Sequence, residues 1–237
     1  IVIDTSTAHR TNDGWAYGFP ELSEEFETKL KNSNRIAVPG CYASGFIALV
    51  KPLVDAGIVD SDICIACHAL SGYSGAGKNG IAQYEDVNRD VLLDAPREYA
   101  LTQRHKHLKE MKAISGLQNE PIFSPYICDY FSGMVMTVPL FKKDLKNGKT
   151  AEDIKALYKE KYNSNIVKLI TGNEEFTPEN TVIYAAGRKA KEGLLRKGYE
   201  VRSDYSEIME EPIYNDAMKI SADVLNAFED GEIGEIY

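Results

Sequence analysis

The chain has 237 residues, 43% of them hydrophobic, with a formal net charge of −9 and a pI near 5.1. That is enough apolar material for one or two domains with a real core, and the acidic balance argues against nucleic acid as a partner. No apolar run reaches the roughly 18 residues of a membrane span, and four cysteines are too few for a disulfide scaffold at this length, so a reducing cytoplasm is the expected setting.

Residues 1–4 read as a strand, and residues 11–20, with Gly14, Gly18 and Pro20, as loop. Glu21 to Lys31 reads as a charged amphipathic helix, and Ile36 to Val38 as a short strand stopped by Pro39-Gly40. Residues 42–56 carry Phe46, Ile47, Leu49, Val50, Leu53 and Val54 at helical spacing, with Pro52 as a kink. Residues 63–70, ICIACHAL, read as a buried strand entering a glycine-rich loop, SGYSGAGKNG (71–80). Residues 81–94 make no convincing helix, and 84–98 lack a clear period. One or two helical turns are expected over 108–114, and strands within 122–141. Residues 150–162 read as a helix capped by Thr150, with Glu152 and Asp153 at its dipole-positive end.

The texture then changes. Thr181 to Ala185 and Tyr199 to Arg202 read as strands around a basic helix, 188–197, and Ala217, Ile220, Val224, Leu225 and Phe228 form a helical stripe ended by Gly231. Charge changes as well: residues 1–161 hold 19 basic and 21 acidic side chains, a net of −2, whereas 162–237 hold 8 and 15, a net of −7. Two compositional units are expected. The chain opens inside the apolar run Ile1-Val2-Ile3 without a signal-peptide pattern and closes on Gly-Glu-Ile-Tyr, so both ends read as cuts through a longer protein.

Four features could carry chemistry. Pro39-Gly40-Cys41-Tyr42 sits at a strand-to-helix turn, where unpaired helix N–H groups favour an anion and hence a thiolate nucleophile; the alternative is a small buried cysteine at a tight turn. His105-Lys106-His107 precedes Glu110, which at i+3 from His107 could orient its imidazole as a general base, unless these are two surface histidines. Cys64-Ile-Ala-Cys67-His68 spells a haem-attachment pattern but lies in a strand-like run that puts the two thiols on opposite faces, so neither haem nor metal is expected. The glycine loop nearly spells two phosphate motifs, a dinucleotide fingerprint and a P-loop. Asn79 replaces the magnesium-binding hydroxyl of the latter, and no clear helix follows, which leaves another kind of glycine-rich loop or a flexible turn.

Together, VIDTSTAHRTNDGWAYGFPEL (2–22), VPGCYASGFIALVKPLVDAGI (38–58), SGYSGAGK (71–78) and HKHLKEM (105–111) resemble the short-chain N-acetyl-gamma-glutamyl-phosphate reductases, in family order. Two positions depart from that pattern: Ser44 stands for the usual Thr, and Lys109 for the usual Pro. The resemblance implies that Cys41 attacks an acyl phosphate to give a thioester, and that NADP, as NADPH, supplies the hydride. It implies that His107 is general acid/base oriented by Glu110, and that Ser6, Arg10 and His105 line the substrate site. Ser71, Gly72, Ser74, Gly75 and Lys78 are the implied cofactor contacts. The implied fold for 1–161 is a mixed sheet with helices on one side, like the C-terminal domain of glyceraldehyde-3-phosphate dehydrogenase, with self-association through that sheet and the family's N-terminal dinucleotide-binding domain missing.

Residues 162–237 instead resemble the gamma subunit of F-type ATP synthase, through YNSNIVKLI (162–170), VIYAAGRKAKEGLLRKGYEV (182–201) and DAMKISADVLNAFEDGEIGEIY (216–237). That resemblance implies a small Rossmann-like α/β unit, a chimera joined near Lys161, and a non-catalytic rotor fragment as the alternative function.

Overall fold

The computed structural model describes residues 1–164, 166–170, 182–186, 195, 200–205, 222–227 and 230, in two units, Ile1–Asn163 and Ser164–Tyr237. The first unit runs β1 (Val2–Asp4), β2 (Ala16–Tyr17), α1 (Glu24–Asn32), β3 (Arg35–Ala37), α2 (Cys41–Asp55), β4 (Ala66–Gly72), α3 (Gly77–Glu85), β5 (Arg97–Glu98), α4 (Leu108–Ser115), β6 (Ile122–Cys128), β7 (Met134–Thr137) and α5 (Ala151–Lys161). A small parallel sheet has the order β1-β3-β2. A second has the order β5-β6-β4-β7, with β4 and β6 parallel and both edge strands antiparallel to their neighbours. The mixed sheet expected from the sequence is therefore present.

One face of that sheet is covered. Cys67, Ala69 and Ser71 of β4 point to the same side as their register partners Phe123, Pro125 and Ile127 of β6, and all of these are shielded from solvent. Against this side lies α2, with Gly45 beside Met136 and the Tyr42 ring 5.1 Å from that of Phe123. The other face carries Leu70, Ile122 and Val135, all exposed.

The apolar pattern that predicts α2 is the one it buries: Phe46, Ile47 and Val50 are 0% exposed and Leu53 2%. Burying such a side chain stabilises the fold by about 1.5–3 kcal/mol. Inside α2, Pro52 has no N–H to give the Ala48 carbonyl four residues earlier. The Tyr162 hydroxyl donates to that carbonyl instead, at 2.6 Å, and the Tyr158 hydroxyl donates to the next one, Leu49 O. Helix α5 begins at the Thr150 cap that its sequence predicts, and Asp153 completes a capping box with it.

Several boundaries differ from expectation. Helix α1 starts at Glu24 because Ser23 caps it by accepting from Phe26 N, while Pro20–Leu22 forms a separate tight turn. Ala16–Tyr17, expected as loop, pairs with β3. Strand β4 starts at Ala66 and alternates exposed with buried, so the run from residue 63 is not one buried strand. Residues 77–85 form the helix α3, which the sequence does not announce: it buries only Gly80 and Tyr84, too few contacts to leave an apolar stripe.

In the second unit, β8 (Val182–Ala186) and β9 (Glu200–Tyr205) pair in parallel, and 222–227 is helical with Ala227 buried and Leu225 exposed. Apart from Leu195, the basic helix expected over 188–197 lies outside the described residues, as do Ala217, Ile220, Phe228 and Gly231.

Candidate active site

Cys41 is the first residue of α2 and is exposed. The cap position before it is Gly40, with no side-chain cap, so the N–H groups of the first turn remain open to an anion. Gly40 is hemmed in: a Cβ built on it would lie 2.5 Å from Arg10 Nη1 and 2.5 Å from His107 Nε2. The structure therefore brings Arg10 and His107 onto the turn that carries the thiol.

His107 stands just before the first residue of α4, without a side-chain cap bond, and is 3% exposed. Burial first, then the positive charges around it (His105, Arg10 and Lys106), lower its pKa to about 3. It is neutral at physiological pH, with one nitrogen able to accept a proton and one N–H to give. Stability follows with a definite sign. Unfolded His107 protonates near 6.5 and the folded residue only near 3, so the unfolded chain binds more protons as pH falls through that window. His107's contribution is intact above pH 6.5 and is lost progressively below it. At pH 5 the loss should be about 1–2 kcal/mol, read as a drop in urea midpoint between pH 7 and pH 5 that shrinks in His107→Gln. An equal drop in both chains would refute the buried neutral imidazole.

The expected His107–Glu110 hydrogen bond is not formed. His107 Nδ1 has no hydrogen-bond partner. The Glu110 carboxylate is taken up elsewhere: Oε1 accepts from Gly40 N (2.8 Å) and from Tyr17 OH (2.8 Å), and Oε2 pairs with Arg10 Nη1 at 3.0 Å. Burial, and then the adjacent carboxylate, raise the Tyr17 pKa, so its hydroxyl stays a donor. Arg10, expected to line the substrate site, is 9% exposed and also donates to Val38 O and Thr5 O. Ser6 lies in an exposed turn where its hydroxyl donates to Asp4 at 2.6 Å. His105 is half-buried, its ring 4.8 Å from that of His107, and its Nδ1 accepts from the His107 backbone N–H. Burial and Lys106 lower its pKa.

Tyr42 and Tyr99 are site residues that the sequence reading missed. The Tyr42 ring packs 5.8 Å from His105 and 5.9 Å from His107. Ser71 gives its one proton to Tyr126 O (3.0 Å), so at 2.6 Å Tyr42 OH is the donor to Ser71 Oγ, and Tyr99 OH donates to Tyr42 in turn. A chain of hydroxyls thus links the residue after the thiol to the glycine loop. No spacing signal announces it, because the partners come from distant segments.

The five loop residues separate into two sets. Ser71 is committed to that chain, and Gly72 lies against the backbone of Phe131 and Ser132. Gly75 and Lys78 are exposed and Ser74 half-exposed. Gly75 and Gly77 have nothing within 4 Å of a built Cβ, and α3 starts there without a side-chain cap. The helix that a phosphate-binding loop requires is thus present after all. Cys64 is exposed, whereas Cys67 is buried and its thiol pushed up to about 12 by that burial. Among the described residues no cluster of His, Cys, Asp and Glu could hold a metal ion, and no helix is long and apolar enough to cross a membrane.

Known proteins resemble this chain over much of its length. The chain is 41% identical to the N-acetyl-gamma-glutamyl-phosphate reductase of Rhizobium meliloti (strain 1021) over 175 residues, 73% of this chain and 56% of that protein. It is 42% identical to the Sinorhizobium fredii enzyme of that name over 171 residues, 71% of this chain and 56% of the other. The chain thus spans little more than half the length of these relatives. An aspartate semialdehyde dehydrogenase II structure from Vibrio cholerae aligns with TM-score 0.48 at 19% identity, covering 68% of this chain and 53% of that one. The rotor-fragment alternative and a chimeric chain find no support in these matches. The family model described as "Semialdehyde dehydrogenase, dimerisation domain" matches residues 41–188, and the chain belongs to that family.

Proposed function

We propose that this chain is the catalytic half of a reductase that converts N-acetyl-glutamyl 5-phosphate to N-acetyl-glutamate 5-semialdehyde. The observation that carries the reading is the exposed Cys41 at the uncapped N-terminus of α2, with His107 closed over the preceding glycine. Cys41 Sγ attacks the acyl carbon, the carbon–oxygen bond to phosphate breaks, and phosphate leaves, giving a thioester. His107 takes the thiol proton on Nε2, the ring nitrogen that faces the turn, and returns it as the product departs. Tyr42 holds the imidazole pair by ring contact, and its hydroxyl tethers the turn to Ser71. NADPH, when bound, supplies the hydride that reduces the thioester carbon. The residues that fit its contact with this chain are Ser74, Gly75 and Lys78, at the open start of α3.

The exposed apolar side chains of the four-stranded sheet support pairing of two copies through that face, in keeping with the dimerisation domain of the family. All four cysteines are unpaired, which suits a reducing cytoplasm.

Alkylation tests the reading. At neutral pH Cys41 should react with iodoacetamide about tenfold or more faster than a thiol in unfolded chain. Cys64, exposed but away from a helix N-terminus, serves as the internal standard. Equal rates at the two cysteines would remove the preorganised nucleophile, and the proposal with it.

A further inference from the structure

A carboxylate and a guanidinium buried together are costly unless both are fully hydrogen-bonded, and an apolar pair of the same volume often serves stability as well. Arg10 and Glu110 are such a pair, with side chains 8% and 3% exposed. What they bond to is informative. Pro39 has no N–H to offer, and the two backbone groups flanking it are both held from outside: Arg10 Nε donates to Val38 O at 2.9 Å, and Gly40 N donates to Glu110 Oε1 at 2.8 Å. Arg10 Nη2 extends the grip to Thr5 O, and Tyr17 OH fixes the carboxylate oxygen that holds Gly40. Four segments (5–10, β2 with Tyr17, 38–40 and the first turn of α4) converge on one ion pair whose contacts end at the residue before Cys41.

We infer that Glu110 and Arg10 are positioning residues for the turn that presents Cys41, and that Glu110 acts through the Gly40 N–H rather than through His107. The inference rests on the reading of Cys41 as nucleophile and assigns that site its geometric support. The pair sets the direction of the first helical N–H groups relative to the thiol, so loosening it slows the thiol whether or not an imidazole stands beside the turn.

The test uses the full chain with two substitutions, Glu110→Gln and Tyr17→Phe; the second leaves every charge in place and serves on its own if the first fails to fold. Amide hydrogen exchange at Gly40 and iodoacetamide alkylation at Cys41 are followed, with Cys64 as control. Exchange should accelerate about tenfold in Glu110→Gln and about threefold in Tyr17→Phe. Cys41 alkylation should slow by similar factors while Cys64 reacts as before. The same factors should persist in a His107→Asn background. Disappearance of the alkylation effect in that background would assign Glu110 to the imidazole and overturn the inference; so would unchanged Gly40 exchange in the folded variants. A wild-type Cys41 no faster than Cys64 would refute the nucleophile reading, while the exchange result would still report whether the pair holds the turn.

Discussion

Alanine at position 40 is expected to cost about 3 kcal/mol of stability and to slow Cys41 alkylation at least tenfold. The backbone is not the reason: Gly40 has φ −73° and ψ 141°, which any residue adopts. The reason is space. A Cβ would lie 2.5 Å from both Arg10 Nη1 and His107 Nε2, and 2.7 Å from His107 Cδ2. Neither neighbour yields cheaply. Arg10 is tied at Nε, Nη1 and Nη2, and the His107 ring is 3% exposed and packed against Tyr42. Relief comes by moving the imidazole, the guanidinium or the turn itself, and each move displaces part of the site. Urea unfolding and alkylation kinetics on Gly40→Ala check both effects; a chain with the wild-type midpoint and rate would show that the contact is loose.

Gly72→Ala should be comparably damaging, by about 3 kcal/mol, and Gly75→Ala nearly silent, within about 0.5 kcal/mol. Both lie in the glycine-rich loop, yet their surroundings are opposite. A Cβ on Gly72 would meet Phe131 O at 2.6 Å and Ser132 N at 2.7 Å, and these are backbone atoms. They cannot swing aside, because Gly72, Tyr73 and Ser74 each donate an N–H to the 130–133 segment, at 2.9–3.0 Å. On Gly75 nothing lies within 4 Å. Thermal unfolding of the two variants makes the comparison. Equal midpoints would mean that Gly72 does not serve close backbone approach.

These contrasts show where the sequence was informative. Helix α2 was legible because Phe46, Ile47, Val50 and Leu53 recur at helical spacing and are the side chains it buries. Cys41 was legible because Pro39-Gly40 breaks the chain just before an apolar helix, which leaves little choice about what stands at the helix start. Helix α3 was not legible, since a helix with two buried residues has no apolar period to detect. The partners of Glu110 were hidden for another reason. His107 is three residues away and is the local guess, whereas Gly40, Tyr17 and Arg10 are 70, 93 and 100 residues away in sequence. A buried carboxylate takes whichever donors the fold delivers, and no pattern within one segment records them. The same holds for Tyr42, Ser71 and Tyr99, which meet across 29 and 57 residues.

Pro52 carries a consequence for where the end of α5 is held. In the unfolded chain the Ala48 carbonyl is one solvated acceptor among many. Only when α2 has wound around Pro52 does it become the rung left without an internal donor, facing outward at a fixed place. The Tyr162 hydroxyl that fills it comes from 114 residues downstream. Docking of the segment at the end of α5 thus satisfies a rung that α2 cannot satisfy itself, and it closes a loop that is long in sequence. The residue that interrupts one helix serves as the address at which another is received.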